Sequence, residues 1–261
     1  MQTSKRNSAM WLLLLVLIGA LFLLTSPVPQ DPAYYLFADS RTLLSVPNFW
    51  NVLSNLPFMF IGTWGIYLVL TLARTLDNFE LRNAYLVFFI GVFLTAFGSG
   101  YFHVKPGDGT LFWDRLPMTI AFSGLFAAVI GEYGSKVTAQ RCLPLFLMIG
   151  IGSVLYWQWT ESIGAGDLRP YAIVQFLPML AIPAILLMSN GENDIGRYIW
   201  LMIAFYVIAK LFEQFDVGVY EGTRGMSGHA LKHVFAAVGP ALLAVALDKR
   251  IPRQASEAFA S

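Results

Sequence analysis

The chain is 261 residues long, 57% hydrophobic and 13% charged, with a mean hydropathy of +0.61. A water-facing domain carries about 25% charged residues, so this composition excludes a soluble fold and makes lipid the solvent for most of the chain. A net charge of +1 with no basic stripe gives no nucleic-acid partner, and the single cysteine, Cys142, excludes an intramolecular disulfide and a thiolate metal site.

The first apolar run, at 10–24, follows Lys5 and Arg6. It reads as a retained membrane helix or uncleaved signal anchor within residues 1–30, because Thr25-Ser26-Pro27 makes a poor cleavage site. The alternative is a secretory signal. Seven further runs follow at 49–72, 84–102, 116–133, 143–159, 171–188, 198–215 and 230–247. Each is near the length of about 20 residues that a spanning helix needs. Pro106, Gly107, Gly109, Gly164 and Gly166 punctuate the connections between them. The expected fold is an all-α integral membrane protein. A seven-transmembrane-helix bundle occupies residues 31–247, with an additional N-terminal hydrophobic helix before it and a cytoplasmic tail at 248–261.

Charge placement sets the orientation. With the N-terminus inside, the inner segments hold Lys5, Arg6, Arg74, Arg82, Lys136, Arg141, Arg197, Lys249, Arg250 and Arg253, ten in all. The outer segments hold five, namely Arg41, Lys105, Arg115, Arg169 and Arg224, while Lys210 and Lys232 fall in the membrane. Both termini are therefore expected in the cytoplasm, and Tyr156, Trp157 and Trp159 should mark an outer aromatic interface.

The chain has three histidines, His103, His229 and His233. Ionisable groups at or within spans are costly and mark functional sites. His229 and His233 are spaced so that both imidazoles share one helical face, about 6 Å apart along the axis. Ser99 and His103 share another such face, and Asp114 opens the next span. In the topology set by charge alone, all five residues fall at one depth near the outer face. Three neutral imidazoles leave a tetrahedral zinc with one open position for water. Such an ion acidifies its water and polarises a carbonyl. Asp114 can then move a proton and Ser99 can donate to an oxyanion, so hydrolysis of an acyl bond is the natural chemistry. Taken one at a time, these residues have plainer readings. A lone interfacial histidine can be a structural hydrogen-bonder, Ser99 a small packing residue and Asp114 a helix cap. Lys210 and Glu213 read as an internal ion pair. Asn51 and Asn55 read as partners for other helices, and Tyr220, Glu221 and Arg224 as a loop before His229.

At these residues the chain resembles a known family. Asn48-Phe49-Trp50-Asn51-Val52-Leu53-Ser54-Asn55 resembles the EFWNxxSN opening of the alkaline ceramidases. Ser99, His103, Asp114, His229 and His233 match the rest of that signature. They also match the wider superfamily, which includes the progestin and adiponectin receptors and the Per1-like proteins. The resemblance implies a seven-helix core, Zn2+ on His103, His229 and His233, and supporting roles for Ser99 and Asp114. It further implies cleavage of ceramide or a related N-acyl membrane lipid to fatty acid and long-chain amine within the bilayer. Animal members carry an acidic calcium-binding stretch at this opening. Here Asn48 replaces its glutamate and only Asp31 and Asp39 are acidic upstream. Ca2+ prefers several carboxylates, which leaves Asp39 as the single candidate ligand. Short loops point to a bacterial inner-membrane protein with its active site toward the outer face. Two rival readings remain at this stage: an esterase or phospholipid-remodelling hydrolase, and a receptor-like protein with structural zinc.

Overall fold

The structure is a computed structural model that describes residues 16, 19, 20, 22–75, 80–189 and 194–260. Most of the run at 10–24 lies outside these residues. The chain is all-α: among the described residues the only β pairing is an isolated bridge between Leu43 and Val46. After a 3-10 turn at Pro32–Tyr35 come α1 (Phe49–Leu53), α2 (Leu56–Thr75), α3 (Arg82–Val104), α4 (Asp108–Tyr133) and α5 (Lys136–Ser162). Then follow α6 (Arg169–Met188), α7 (Gly196–Gln214), α8 (Asp216–Thr223) and α9 (Gly228–Ala260).

Six spans among the described residues are long and apolar enough to cross a membrane, with Phe49–Leu72 counting as one, and the bent pair α7–α8 supplies a seventh. The protein is a multi-pass membrane protein. Helices are forced on such segments because a bilayer offers no partner to a free N–H or C=O. For the same reason Pro117, Pro144, Pro178 and Pro183 are accommodated inside helices, where neighbouring groups take up the freed carbonyls. Ser135 caps α5, its hydroxyl accepting from Thr138 N–H at 3.2 Å.

The helices pack in an almost closed ring. α3 lies along both α2 and α4, α5 along α4, and α9 along both α2 and α7; α6 rests on α4 and α5 and barely meets α7. A hydrogen bond from Gln175 Nε2 to Tyr206 Oη, at 3.0 Å, crosses that α6–α7 seam. One large apolar core fills the ring, from Phe58, Leu68 and Phe89 to Ile199 and Leu247. A smaller one, around Phe102, Leu111, Val154, Trp157 and Tyr171, sits at the end that bears the histidines.

Four details depart from the sequence expectation. α4 starts at Asp108, so Arg115 lies two turns inside the helix and is buried. It stacks on Trp157, 4.2 Å from the ring centroid, which leaves four charges on the outer side of the tally rather than five. Trp157 is itself a core residue, while Tyr156 and Trp159 are exposed. Tyr220 and Glu221 belong to a helix, α8, set at 81° to α7. α9 continues past Leu247 to Ala260 without a break.

Candidate metal centre

Helix ends converge to build the site. His103 lies in the last turn of α3, and His229 and His233 in the first two turns of α9. Asp216, at the start of α8, accepts the His229 backbone N–H at 2.7 Å and the Ala38 N–H at 2.9 Å. One carboxylate thus satisfies a free donor at the α9 N-terminus and pins the loop before α1. The preceding residue must be glycine for this approach: a Cβ on Gly228 would stand 2.1 Å from the Phe212 carbonyl oxygen.

The three imidazoles are buried, with ring centroids 4.8–5.1 Å apart, and each offers one nitrogen within 4.8 Å of the other two. Such a cluster can hold a metal ion. Ser54 Oγ donates to the Asn51 carbonyl at 3.1 Å and lies 2.8 Å from His233 Nδ1. With its proton on that carbonyl, the hydroxyl can accept from Nδ1–H, the tautomer that turns the lone pair of Nε2 toward His103 Nε2, 3.3 Å away. Two nitrogens on one tetrahedral zinc-sized ion stand about 3.3–3.4 Å apart. His229 Nε2 is buried without a hydrogen-bond partner among the described residues. The donor set therefore fits a cation, with imidazole the ligand type suited to zinc and its neighbours. Among the described residues no carboxylate joins the group, so Asp114 stands beside it rather than in it.

The Asn48–Asn55 segment supports this cluster. Asn48 Nδ2 donates to the His103 carbonyl at 2.8 Å, Asn51 Nδ2 to the Asp39 carbonyl at 3.1 Å, and Asn55 Nδ2 to the Asn51 carbonyl at 2.8 Å. Asn51 and Asn55 thereby serve the break between α1 and α2 and the loop before it. Both also reach α9, as expected: Asn55 Nδ2 lies 3.4 Å from His233 Nδ1, and Asn51 Oδ1 accepts from Ser227 Oγ at 3.4 Å. Ser54→Ala removes the group that fixes the His233 ring. Metal affinity should fall about 10–100-fold, as measured by chelator competition, with the fold intact.

Ser99 of α3 and Asp114 of α4 line the same cavity, and the two helices pack closely along each other. The contact is this close because of Gly98, whose Cβ would lie 2.0 Å from the Trp113 carbonyl oxygen. Gly98→Val should therefore force the helices apart. We expect a loss of about 3 kcal/mol, a melting temperature in detergent lower by roughly 6–12 °C, and reduced turnover in the protein that still folds.

A cavity of about 260 Å³ reaches the cluster at His233, Ser99 and Asp114, close to the lower end of ligand pockets, about 300–1,000 Å³. Its walls are otherwise mainly apolar, among them Phe58, Phe88, Val92, Phe122, Met179 and Met202. On the opposite side Phe37 covers the imidazoles, 4.9 Å from His103 and 4.7 Å from His229 between ring centroids.

Asp39 is buried, and Arg41 grips both of its carboxylate oxygens at 2.8 and 2.7 Å. Burial alone raises its pKa, but the Arg41 hydrogen bonds and charge outweigh that and hold the carboxyl below its ordinary range. Arg41 also bonds the Gly225 carbonyl and covers Tyr220. The Lys210–Glu213 pair forms as expected and gains a third member, Lys232, at 2.5 Å from Glu213 Oε1. Ser54 as a support of His233, Phe37 as a cover and Lys232 as a partner of Glu213 were not assigned from sequence. The one available signal was a lysine inside an apolar run, next to His233.

A family model described as Ceramidase matches residues 42–250. No curated protein matches the chain.

Proposed function

The chain belongs to the ceramidase family, and on that premise we propose that it hydrolyses the amide of ceramide or a related N-acyl lipid at a zinc ion held by His103, His229 and His233. Family membership supports hydrolase action on an amide and a lipid substrate. The observation that carries the finer reading is the junction of the histidine cluster with a mainly apolar cavity through His233, Ser99 and Asp114. When bound, zinc supplies a Lewis acid for the amide carbonyl and lowers the pKa of water toward 7.

The chain's own residues do the rest. Asp114 takes a proton from the attacking water and returns it to the leaving amine, so that C–O forms, C–N breaks and the carboxylate is not consumed. Ser99 donates to the developing oxyanion. Ser54 holds His233 in the tautomer that presents Nε2. The apolar walls take the acyl chain, and the α6–α7 seam is the proposed lateral access from the bilayer. Phe37 and the small aromatic core exclude water from the other side.

A donor set of three histidines, joined by no carboxylate among the described residues, argues against structural zinc, which would be held by four protein ligands. It also argues for catalysis rather than a receptor-like role. On orientation we retain the charge-based proposal of cytoplasmic termini and a site toward the outer face of a bacterial inner membrane. The test is to incubate purified protein with acyl-labelled ceramide and, separately, with acyl-labelled phosphatidylcholine. Fatty acid from ceramide alone is the expected result; release from the ester alone would move the protein to the esterase reading.

A further inference from the structure

The polar end of the cavity holds more positive charge than amide hydrolysis uses. Arg115 is only 7% exposed. Its Nη2 donates to Gln30 Oε1 at 2.5 Å, and its guanidinium lies 4.2 Å from the Trp157 ring centroid and 4.7 Å from that of Tyr171. No carboxylate among the described residues forms an ion pair with it, and Nη1 is buried without a hydrogen-bond partner. The charge of Lys232 lies near the same tyrosine ring, Arg115 being 6.0 Å and Lys232 5.8 Å from the Tyr34 centroid. Lys232 and Lys210 share the single carboxylate of Glu213. Arg115, Lys210, Lys232 and Glu213 line the cavity with Asp114, so three cations face two carboxylates there.

Burying a guanidinium without a counter-charge is costly, and inside a membrane such a group marks a ligand path. A guanidinium edge is also the donor geometry that matches a carboxylate or phosphate. We propose that Arg115 anchors an oxyanion subsite in this cavity, which takes the carboxylate or phosphate of a lipid ligand. The proposal rests on the reading above that the cavity holds an N-acyl lipid. Two sources carry that chemistry: an acidic head group on the substrate, and the carboxylate that hydrolysis releases.

The test separates binding from turnover. Equilibrium binding of labelled palmitate and of hexadecanol, equal in chain length but uncharged, is measured on wild type, Arg115→Gln and Arg115→Lys in one detergent at pH 8. Wild type should prefer palmitate by at least about tenfold. Arg115→Gln should show no preference, and Arg115→Lys should keep part of it as a point charge. Equal binding of the two ligands by wild type, or a preference undiminished in Arg115→Gln, overturns the proposal. The measurement is made on chelator-stripped protein, so that a preference is not the ion's. Equal binding by wild type then overturns the proposal even if Arg115→Gln does not fold, and Arg115→Lys carries the comparison in its place.

Hydrolysis of ceramide and ceramide 1-phosphate then identifies the source. A fall in kcat/KM confined to ceramide 1-phosphate in Arg115→Gln assigns the subsite to a head group. Unchanged ratios with weaker inhibition by palmitate assign it to the released carboxylate. Should wild type hydrolyse neither lipid, the amide-hydrolase reading fails, while palmitate binding still decides the role of Arg115.

Discussion

His233→Ala should strip the chain of its metal and lower fatty-acid release by about 10³-fold or more. His233 Nε2 stands 3.3 Å from His103 Nε2 and its Nδ1 is tied to Ser54, so it is the best-oriented member of the cluster. Removing it leaves two imidazoles, too few to hold a zinc ion against chelation. The apolar core is built elsewhere, from residues such as Leu68, Phe89 and Leu247, so the variant should fold. Metal analysis of the folded variant is the check: about one ion per chain in wild type and close to none in His233→Ala. A variant that kept both metal and turnover would remove the histidine cluster from the chemistry.

Asp114→Asn should do the reverse, keeping the metal and losing the reaction. The carboxylate lies outside the group of converging nitrogens and shares the cavity wall with Ser99, so it is placed to move a proton rather than to ligate. Asparagine fills the same space and cannot accept that proton. The loss of general acid–base catalysis is expected to lower kcat by about 10²–10⁴-fold, with little change in KM. Loss of the metal in Asp114→Asn would instead make Asp114 a fourth ligand. The centre would then be closed, as a structural site is, and the receptor-like reading would gain.

The spans were legible because lipid imposes length and hydropathy on each of them. Their edges were not. α4 begins at Asp108 rather than near Leu116 because one face of its first two turns, with Thr110, Asp114 and Arg115, is buried in protein, where hydropathy no longer reports on the environment. The 81° bend at Phe215 likewise left no apolar signature, since α8 packs on the loop before α1 through Asp216.

For the site, the three histidines, Ser99 and Asp114 stood out because each is a polar residue at a span end. The structure brings the histidines together and places Ser99 and Asp114 on the cavity beside them. Groups that act through distant partners could not be read this way. Ser54 meets His233 across 179 positions and Arg115 meets Gln30 across 85. Glu213 and Lys232 are 19 apart on different helices. Arg115 was read as a charge of an outer loop, and only its burial against Trp157 reveals it as part of the cavity.

The central claim is that His103, His229 and His233 hold the metal with which this chain cleaves an N-acyl lipid. It is tested most directly by fatty-acid release from acyl-labelled ceramide, followed by mass spectrometry, with metal-loaded wild type and folded His233→Ala side by side. The account predicts release by wild type alone. Equal release by both proteins, or none from wild type that carries its metal, would contradict it.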